Sequence, residues 1–360
     1  MEFDMKKLIK IILVLILIVV VIAAAYFAYV FFSWHRLGDD IALEVKGAST
    51  EEKVPVGESL RMTSWNIGFG AYEDDYGFFM DGGTQSWAWS KERLMTNLSR
   101  IAAKLTDQRS DIAIVQEVDT NGTRTYHVDE RDAITAAFYG YQHIYAQNYD
   151  SPFLFYPITQ PHGSNKAGIM TFSRFEISSA VRKELPIEDS LMKLLDLDRC
   201  YSKSRMKTSN GKELIVYNFH LSAYTSDGTI ANEQLRLLLE DIQAEYEQGN
   251  YCIAGGDFNK DILGDSSKWF GKSDIEYSWA QPIPDGLLDK YSVKLIAPLD
   301  EKDPVPSCRN ADGPYHQGQY VLTIDGFMVT DNIDVEKSAV VDYQFKFSDH
   351  NPVEMNFKLK

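Results

Sequence analysis

Four short segments of the chain carry residue types that suit metal and phosphate chemistry. Each follows or ends a run of apolar and β-branched residues, as a buried strand would. A buried strand that ends in Asn, Glu, Asp or His places a polar group at the rim of its sheet. Several such rims that meet would form a carboxylate-rich pocket with a histidine, which suits hydrolysis of a phosphoester with a divalent cation. The segments are Ser64-Trp65-Asn66, Gln116-Glu117, Gly256-Asp257-Phe258-Asn259 and Ser348-Asp349-His350.

The elements that must position these residues follow from the apolar periodicity. A predicted helix lies between the first two predicted strands, and another lies between strands 214–220 and 251–255, so each suggests a crossover. About eleven strands with three or four helices predict two sheets packed face to face with helices outside. The helices are 91–106, 129–138 and 229–248; the strands are 60–66, 112–116, 143–146, 168–173, 176–185, 199–207, 214–220, 251–255, 321–329, 335–340 and 353–358, and a further apolar run covers 345–347.

The N-terminal segment predicts a membrane anchor. Residues 11–32 are apolar or aromatic without a charge, which is long enough to cross a bilayer as one helix. Three lysines precede this run, so the positive-inside rule places residues 1–10 in the cytoplasm. A cleaved signal peptide is the alternative, although the apolar run continues well past the small residues at 23–25. We predict a single-pass protein of the cell membrane, with a stalk or lead-in at 33–58 and an extracytoplasmic catalytic domain at 59–360.

Charge and cysteine content restrict the possible partners. The formal net charge is -16, and no cluster of Lys and Arg occurs beyond the first ten residues. Because proteins that grip a nucleic-acid backbone usually present a basic stripe, long nucleic acids are disfavoured as high-affinity partners. The three cysteines form no CxxC motif and give no support for a zinc site. A disulfide between Cys200 and Cys308 is left open.

Seven ordered matches make the chain resemble the DNase I-like endonuclease/exonuclease/phosphatase superfamily. Each match alone is weak, but their order and spacing across residues 60–360 are those of the family. The resemblance implies a four-layer α/β sandwich of two mixed sheets flanked by helices, which agrees with the predicted elements. The matches are Trp65-Asn66, Gln116-Glu117, the strand at 168–175, Asn218-Phe219-His220, Gly256-Asp257-Phe258-Asn259, Ile324-Asp325-Gly326-Phe327 and Ser348-Asp349-His350.

The resemblance implies a divalent-metal site. Glu117 would bind Mg²⁺, which prefers oxygen ligands and needs only one or two carboxylates; Mn²⁺ remains possible. Asn66 would ligate the ion or orient Glu117. Asp349 would be the second carboxylate on the metal side. Whether the site holds one metal ion or two is left open.

The resemblance also implies the catalytic groups. Asp257 and Asn259, two residues apart on an extended stretch, would face the same way. Asp257 would accept the proton of the attacking water, and Asn259 would donate to a phosphoryl oxygen. Asp325 would hold one ring nitrogen of His350, which would contact the phosphate or activate the water. The choice of Asp257 or His350 as the base is left open.

Three further residues are candidates for the phosphate. The resemblance gives His220 the role of stabilising the phosphoryl oxygens or protonating the leaving oxygen. Arg199 and Lys166 are weaker candidates for phosphate contact. Around the site, residues 72–89 and 145–163 are rich in aromatics. These two loops could be a lid, a lipid-contacting rim or a satellite core.

The sequence therefore predicts a membrane-anchored, extracytoplasmic, Mg²⁺-dependent phosphoester hydrolase, with a phosphodiester as the favoured substrate. Water would attack phosphorus in line. The aromatic loops and the absence of a basic groove favour a small or lipid-like phosphoester over duplex DNA, and no obligate protein partner is predicted. A cell-surface nuclease is the alternative within the class. A non-catalytic surface module that keeps the fold is the alternative from another class.

Overall fold

Two seven-stranded sheets form the body of the protein. The computed structural model describes residues 5–188, 198–223, 229–271 and 279–360. In chain order the strands of these regions are β1 (Ile41–Ala42), β2 (Lys46–Gly47), β3 (Leu60–Asn66), β4 (Ile112–Asp119), β5 (Gln142–Asp150), β6 (Lys166–Ser173), β7 (Ile177–Glu184), β8 (Cys200–Lys207), β9 (Glu213–His220), β10 (Tyr251–Asp257), β11 (Val293–Ile296), β12 (Cys308–Arg309), β13 (Val321–Leu322), β14 (Asp325–Thr330), β15 (Ile333–Val340) and β16 (Val353–Leu359). The α-helices are α1 (Met5–Ser33), α2 (Lys91–Gln108), α3 (Glu130–Ala136), α4 (Thr229–Glu247) and α5 (Ser267–Phe270).

The order of the strands confirms the two predicted crossovers. One sheet runs β1-β7-β8-β9-β10-β14-β11 and the other runs β15-β16-β3-β4-β6-β5-β2. β3 pairs with β4 in parallel, and β9 pairs with β10 in parallel. Because parallel neighbours need a long return connection, α2 and α4 carry the chain back across the outer faces.

Burial explains why the strands appear in the sequence as apolar runs. The inner faces of the two sheets share one core, to which Ile112, Ile114, Val216 and Ile253 contribute side chains with no exposed surface. The apolar face of α2 packs on the outer side of the β4 sheet, and that of α4 packs on the other sheet. The predicted arrangement of two packed mixed sheets flanked by helices is therefore confirmed.

Local signals set the boundaries of α2. Ser90 caps its first turn, where its side chain accepts a hydrogen bond from the N–H of Arg93 at 3.1 Å. The helix ends at Gln108, because the φ of the next residue, Arg109, is 49° and left-handed, which stops the helical ladder. Both ends agree with the helix predicted at 91–106 to within three residues.

The structure differs from the prediction in several short elements. The edge strands β1, β2 and β11 carry too few buried residues to show a clear pattern, and they were not predicted. The strand predicted at 321–329 is divided into β13 and β14. Residues 345–347 form a turn instead of a strand, because Gln344 and Phe345 both have a φ of 54°.

The N-terminal helix is long and apolar enough to cross a membrane by length and composition, and its apolar window is not buried by the rest of the protein. The segment that follows, predicted as a stalk or lead-in, lies against the domain. β1 pairs with β7 and β2 pairs with β5, and Val54 is fully buried in the core. Residues 33–58 thus add an edge strand to each sheet.

All three cysteines are free and buried. The disulfide left open between Cys200 and Cys308 is therefore not formed in this structure.

Candidate active site

The polar residues at the strand ends meet at one edge of the two sheets. β3 ends at Asn66, β9 at His220 and β10 at Asp257. Because the strands of each parallel pair run the same way, their carboxyl ends lie side by side. The antiparallel neighbour β14 begins at this edge, since Asp325 lies opposite Asp257 in the register. Topology alone therefore gathers these side chains from distant parts of the sequence.

Glu117 owes its direction to an irregularity in β4. The pairing of β4 with β6 shifts register between Val115 and Val118, so Gln116 and Glu117 lie in a bulge. The φ of Glu117 is 54°, a left-handed value that residues with a side chain seldom adopt. Gln116 stays between the sheets, where its Nε2 donates to Oδ1 of Asn218 at 2.8 Å. The bulge turns Glu117 into the cavity described below.

Asn66 links two carboxylates. Its Nδ2 donates to Oε1 of Glu117 and to Oδ2 of Asp257, both at 3.1 Å. Its Oδ1 accepts from the N–H of Gly68 at 3.0 Å. Because the amide oxygen is already engaged, this geometry favours the orienting role over direct ligation among the two predicted for Asn66.

Asp257 and Asn259 come together through a turn, which differs from the extended stretch predicted for them. β10 ends at Asp257, and Asn259 has a left-handed φ of 49°. The N–H of Asn259 donates to Oδ1 of Asp257 at 2.8 Å, as in an Asx turn. Nδ2 of Asn259 donates to the carbonyl of Leu221 at 2.8 Å. Both side chains still line the same cavity.

His350 is held by a buried carboxylate. Its Nδ1 lies 2.8 Å from Oδ2 of Asp325, which also accepts from the hydroxyl of Ser307 at 2.7 Å. Nε2 of His350 points the other way and lies 3.7 Å from Oδ2 of Asp257. The predicted His–carboxylate pair is therefore present as a contact, with the second ring nitrogen directed at the cavity.

His220 and Arg199 complete the polar wall. Nε2 of His220 lies 3.6 Å from Oδ2 of Asp257, and its Nδ1 lies 3.9 Å from Oε1 of Glu117. Arg199 is buried, and its Nη1 donates to the carbonyl of His220 at 3.4 Å. Both residues line the cavity with Asp349 and His350.

Asn66 and Asp325 do not line this cavity themselves but bond to residues that do, whereas Lys166 lies away from it. Its ammonium pairs with Asp150 at 2.9 Å, and 47% of its side chain is exposed. Since side chains alternate along β6, Lys166 faces outward while the next residue, Ala167, lines the cavity. The weak prediction of a phosphate contact by Lys166 is corrected on this ground.

The cavity has a volume of about 320 Å³ and carries polar residues that the motifs did not reveal. Arg124 is the most notable, because its Nε and Nη2 bind both oxygens of Asp119 at 2.9 and 2.7 Å. The ring of Phe69 lies 3.8 Å from its guanidinium carbon. The available sequence signal for Arg124 was an acidic residue, Asp119, two positions past Glu117, followed by an arginine in the next turn. Cys308 lies 3.6 Å from Nε2 of His350, and no sequence feature pointed to it as a site residue.

Burial and crowding shift the charges of the site. Burial raises the pKa of Asp257 to about 7, and nearby Asp325 adds to this while His350 opposes it. Burial disfavours charge on His350, but Asp325 and the other neighbouring acidic groups raise its pKa well above the usual range. Burial lowers the pKa of His220, and the positive charge of Arg199 lowers it further. These shifts favour the protonated form of His350 and the neutral form of His220.

The donor set fits a divalent cation. Burial raises the pKa of Glu117, and the like charge of Asp349 raises it further; burial also raises the pKa of Asp349. Two crowded carboxylates that face a cavity are a site that a hard cation would stabilise. Donor atoms of Asp257, Asp325 and His350 form a second group, all within 4.8 Å of one another.

The two aromatic loops differ in how they are buried. Tyr72, Tyr76 and Phe78 belong to the same buried cluster as the apolar face of α2, so the first loop extends that core. The second loop turns several apolar side chains outward. His162 joins the two loops, since its ring lies 5.8 Å from that of Phe78 and 5.6 Å from that of Phe79.

His162 gives a prediction for the pH dependence of stability. Burial, with Arg124 nearby, lowers its pKa to about 3, against roughly 6.5 in the unfolded chain. Between these values the unfolded state binds the proton and the folded state does not, so the free energy of unfolding falls as the pH falls. At pH 5 the cost is about 2 kcal/mol. Thermal unfolding at pH 7.5 and 5.0 should show a smaller loss of Tm in His162→Gln than in the parent protein. An equal loss in both would contradict this.

Comparison with known proteins gives one family and one fold. The model of the Endonuclease/Exonuclease/phosphatase family matches residues 63–350. No curated protein matched the sequence. The fold is similar to that of an endonuclease/exonuclease/phosphatase from Beutenbergia cavernae DSM 12333, with a TM-score of 0.55, 17% identity, and coverage of 84% of this chain and 72% of that one.

Two further solved structures have the same fold. ANGEL2, a 2',3'-cyclic phosphatase, has a TM-score of 0.56 and 15% identity, with 89% of this chain and 99% of that one covered. A protein of the same family from Leptotrichia buccalis C-1013-b has a TM-score of 0.55 and 14% identity, with 84% and 99% covered. At these identities the likeness concerns the fold alone.

Proposed function

Because the chain belongs to the endonuclease/exonuclease/phosphatase family, we propose that it is a membrane-anchored, divalent-metal-dependent phosphoester hydrolase that acts outside the cytoplasm. One observation carries this proposal. Glu117, Asp257, His220, His350 and Asp349 come from separate elements and line a single cavity. A module that only binds a ligand has no need of this complete acid, amide and imidazole set.

The cation would be held by Glu117 and Asp349, with Asn66 orienting Glu117. When bound, Mg²⁺ supplies positive charge that polarises a phosphoryl oxygen. The net charge of -16 repels an anionic substrate, and such an ion would offset that repulsion at the site.

Asp257 is the base in this proposal. Its two oxygens are fixed by Asn66 and by the N–H of Asn259, so it is oriented before substrate arrives. A pKa of about 7 lets it take a proton from water near neutral pH. His350 is less suited to that role, because Asp325 favours its protonated form.

His350, His220 and Arg199 stabilise the charge that develops on phosphorus-bound oxygens. The imidazolium of His350 presents Nε2 to the cavity, since Asp325 occupies Nδ1. Arg199 lies beside His220, which adds a second positive group to the same wall. Groups fixed in advance in this way stabilise a transition state without reorganisation. His220, as a neutral imidazole, can donate one proton toward an oxygen.

The substrate favoured by this proposal is a small or lipid-like phosphodiester. A cavity of about 320 Å³ suits a headgroup or a nucleotide-sized ligand. The net charge of -16 disfavours duplex DNA. The uncharged run at residues 11–32 of α1 supports anchoring, and the lysines before that run support an extracytoplasmic domain.

A substrate panel tests the proposal on the full chain in detergent. The panel contains plasmid DNA, sphingomyelin, phosphoinositides, a 2',3'-cyclic nucleotide and a generic phosphodiester, each with Mg²⁺ and with a chelator. We expect hydrolysis of at least one small or lipid phosphoester that the chelator abolishes. Absence of hydrolysis across the panel would favour the binding module, and activity on DNA alone would favour the nuclease.

Glu117→Gln is expected to weaken binding of the divalent ion. The amide keeps the shape of the side chain but removes one of the two crowded negative charges, so Mn²⁺ affinity should fall by at least about tenfold. Electron paramagnetic resonance of free Mn²⁺ measures this without reference to activity. Glu92→Gln, on the exposed face of α2, is the matched control. Equal Mn²⁺ affinity in both variants would remove Glu117 from the metal site.

A further inference from the structure

Residues 151–163 form a loop without a single Asp, Glu, Lys or Arg, in a chain of which 24% is charged. Four of its large side chains point to solvent even with helix α1 in place. Their exposed fractions are 42% for Phe153, 48% for Phe155, 63% for Tyr156 and 78% for Ile158. Apolar side chains clustered in this way on one loop mark an interaction surface rather than a random part of the exterior.

This loop contacts the N-terminal helix directly. The hydroxyl of Tyr26 donates to the carbonyl of Phe153 at 3.1 Å, and the N–H of Phe153 donates to the hydroxyl of Tyr29 at 3.1 Å. The rings of Tyr26 and Phe155 meet edge to face at 4.7 Å. The loop is therefore fixed at the level of Tyr26 and Tyr29 along the helix.

Bilayer thickness then decides what surrounds the loop. The last charge before the apolar run is Lys10. Residues 11–25 would span only about 22 Å as a helix, which is short of the hydrocarbon core of about 30 Å. A helix that crosses the membrane must therefore remain within the hydrocarbon core as far as about Val30. A tilted helix would need still more residues to cross it. Tyr26 and the loop bound to it therefore lie closer to the bilayer centre than Val30 does.

The connection after the helix keeps the domain in this position. Arg36, three residues past the end of α1, pairs with Asp198 at 2.7 Å and with Glu184 at 2.6 Å. Its Nη2 also donates to the carbonyl of Leu185 at 2.7 Å. A domain tied this closely to the helix end cannot lift the loop away from the membrane without breaking these contacts.

We propose that the loop at 151–163 is a second membrane contact, which inserts Phe153, Phe155, Tyr156 and Ile158 into the interface of the bilayer that α1 crosses. This inference rests on the anchoring proposed above. Aromatic and branched side chains without charge suit the headgroup boundary. The occupant of this surface is thus lipid, not another protein.

The contact would bring the active-site cavity to the membrane surface. His162, at the end of the loop, lines the cavity, and so does the half-exposed Met80. Phe79 connects the two sides, because its ring lies 5.8 Å from Tyr156 and 5.6 Å from His162. A phosphoester carried in the outer leaflet would therefore meet the cavity beside the inserted loop.

Depth-dependent fluorescence quenching tests the loop without using activity. Ile158→Cys carries an environment-sensitive thiol label, and the full chain is reconstituted in phosphatidylcholine vesicles with spin-labelled acyl chains. The native cysteines are buried, so labelling goes to the introduced thiol. Val21→Cys, in the middle of α1, is the positive control. Tyr139→Cys is the matched exposed aromatic, 97% accessible; it precedes β5, whose length of roughly 26 Å separates it from the start of the loop.

The expected result is loss of more than about half of the emission at positions 158 and 21, with little loss at 139. Quenching at 21 without quenching at 158 would overturn the inference while leaving the anchor in place. Quenching at neither position would overturn both. A label at 158 that is shielded from spin-labelled lipid and from aqueous iodide would place a second copy of the chain there, which also overturns it. None of these outcomes depends on hydrolysis, so the catalytic proposal is tested separately.

Discussion

Asp257→Asn should lower kcat by about 10²- to 10⁴-fold, the range for loss of a positioned base. The amide has the shape of the carboxylate but cannot accept a proton from water. Because Asp257 is 1% exposed and near Asp325, loss of its charge should not unfold the protein. The measurement is kcat for the substrate found in the panel, with circular dichroism to confirm the fold.

Asp107→Asn is the matched control for this variant. Its side chain lies on the outer face of α2 and is 67% exposed. We expect kcat of the control to equal that of the parent. If Asp257→Asn were equally active, the assignment of Asp257 as the base would be wrong.

His350→Gln should lower kcat by a similar factor, about 10²- to 10⁴-fold, because it removes the imidazolium that faces the phosphoryl oxygens. The glutamine cannot carry a charge, so the loss should be largest where His350 of the parent is protonated and should shrink above the alkaline limb of the parent profile. His127→Gln is the control, since His127 is exposed and its Nδ1 lies 2.7 Å from Oδ1 of Asn121. A loss confined to position 350 and greatest below the alkaline limb is the expected pattern, and equal kcat in His350→Gln and the parent would contradict the role of His350.

Asp325→Asn separates the positioning role of Asp325 from the role of His350. Asp325 raises the pKa of His350, so its replacement should lower that pKa and shift the alkaline limb of the kcat profile to lower pH. A residue that only supported the fold would lower kcat without moving the limb. An unshifted limb would therefore contradict the proposed protonated state of His350.

The gathering of Asn66, His220 and Asp257 could be predicted because it depends on strand order. Each residue ends an apolar run, and a helix-length segment separates the runs within each pair. Two crossovers of this kind place the carboxyl ends at one edge whatever the details of the loops.

The directions of the side chains could not be predicted, because they depend on local departures from regular geometry. Glu117 points into the cavity through a bulge and a left-handed φ, and Asn259 does so through a turn. The bulge at Glu117 has no signature in the residue types, whereas the turn at Asn259 is compatible with the Asp and Asn that form it. The prediction of a phosphate contact by Lys166 failed for a related reason, because a strand turns alternate residues to opposite faces.

Sequence alone determined most of the strands, the two crossovers, the apolar helix and the candidate catalytic and metal-binding residues, because burial and chain direction are properties of local pattern and order. Only the tertiary structure decided that Arg124 and Cys308 join the site, that Asn66 orients carboxylates, and that the loop at 151–163 rests on Tyr26. Those contacts join segments far apart in the chain through packing, and packing depends on the shapes of all the neighbours at once.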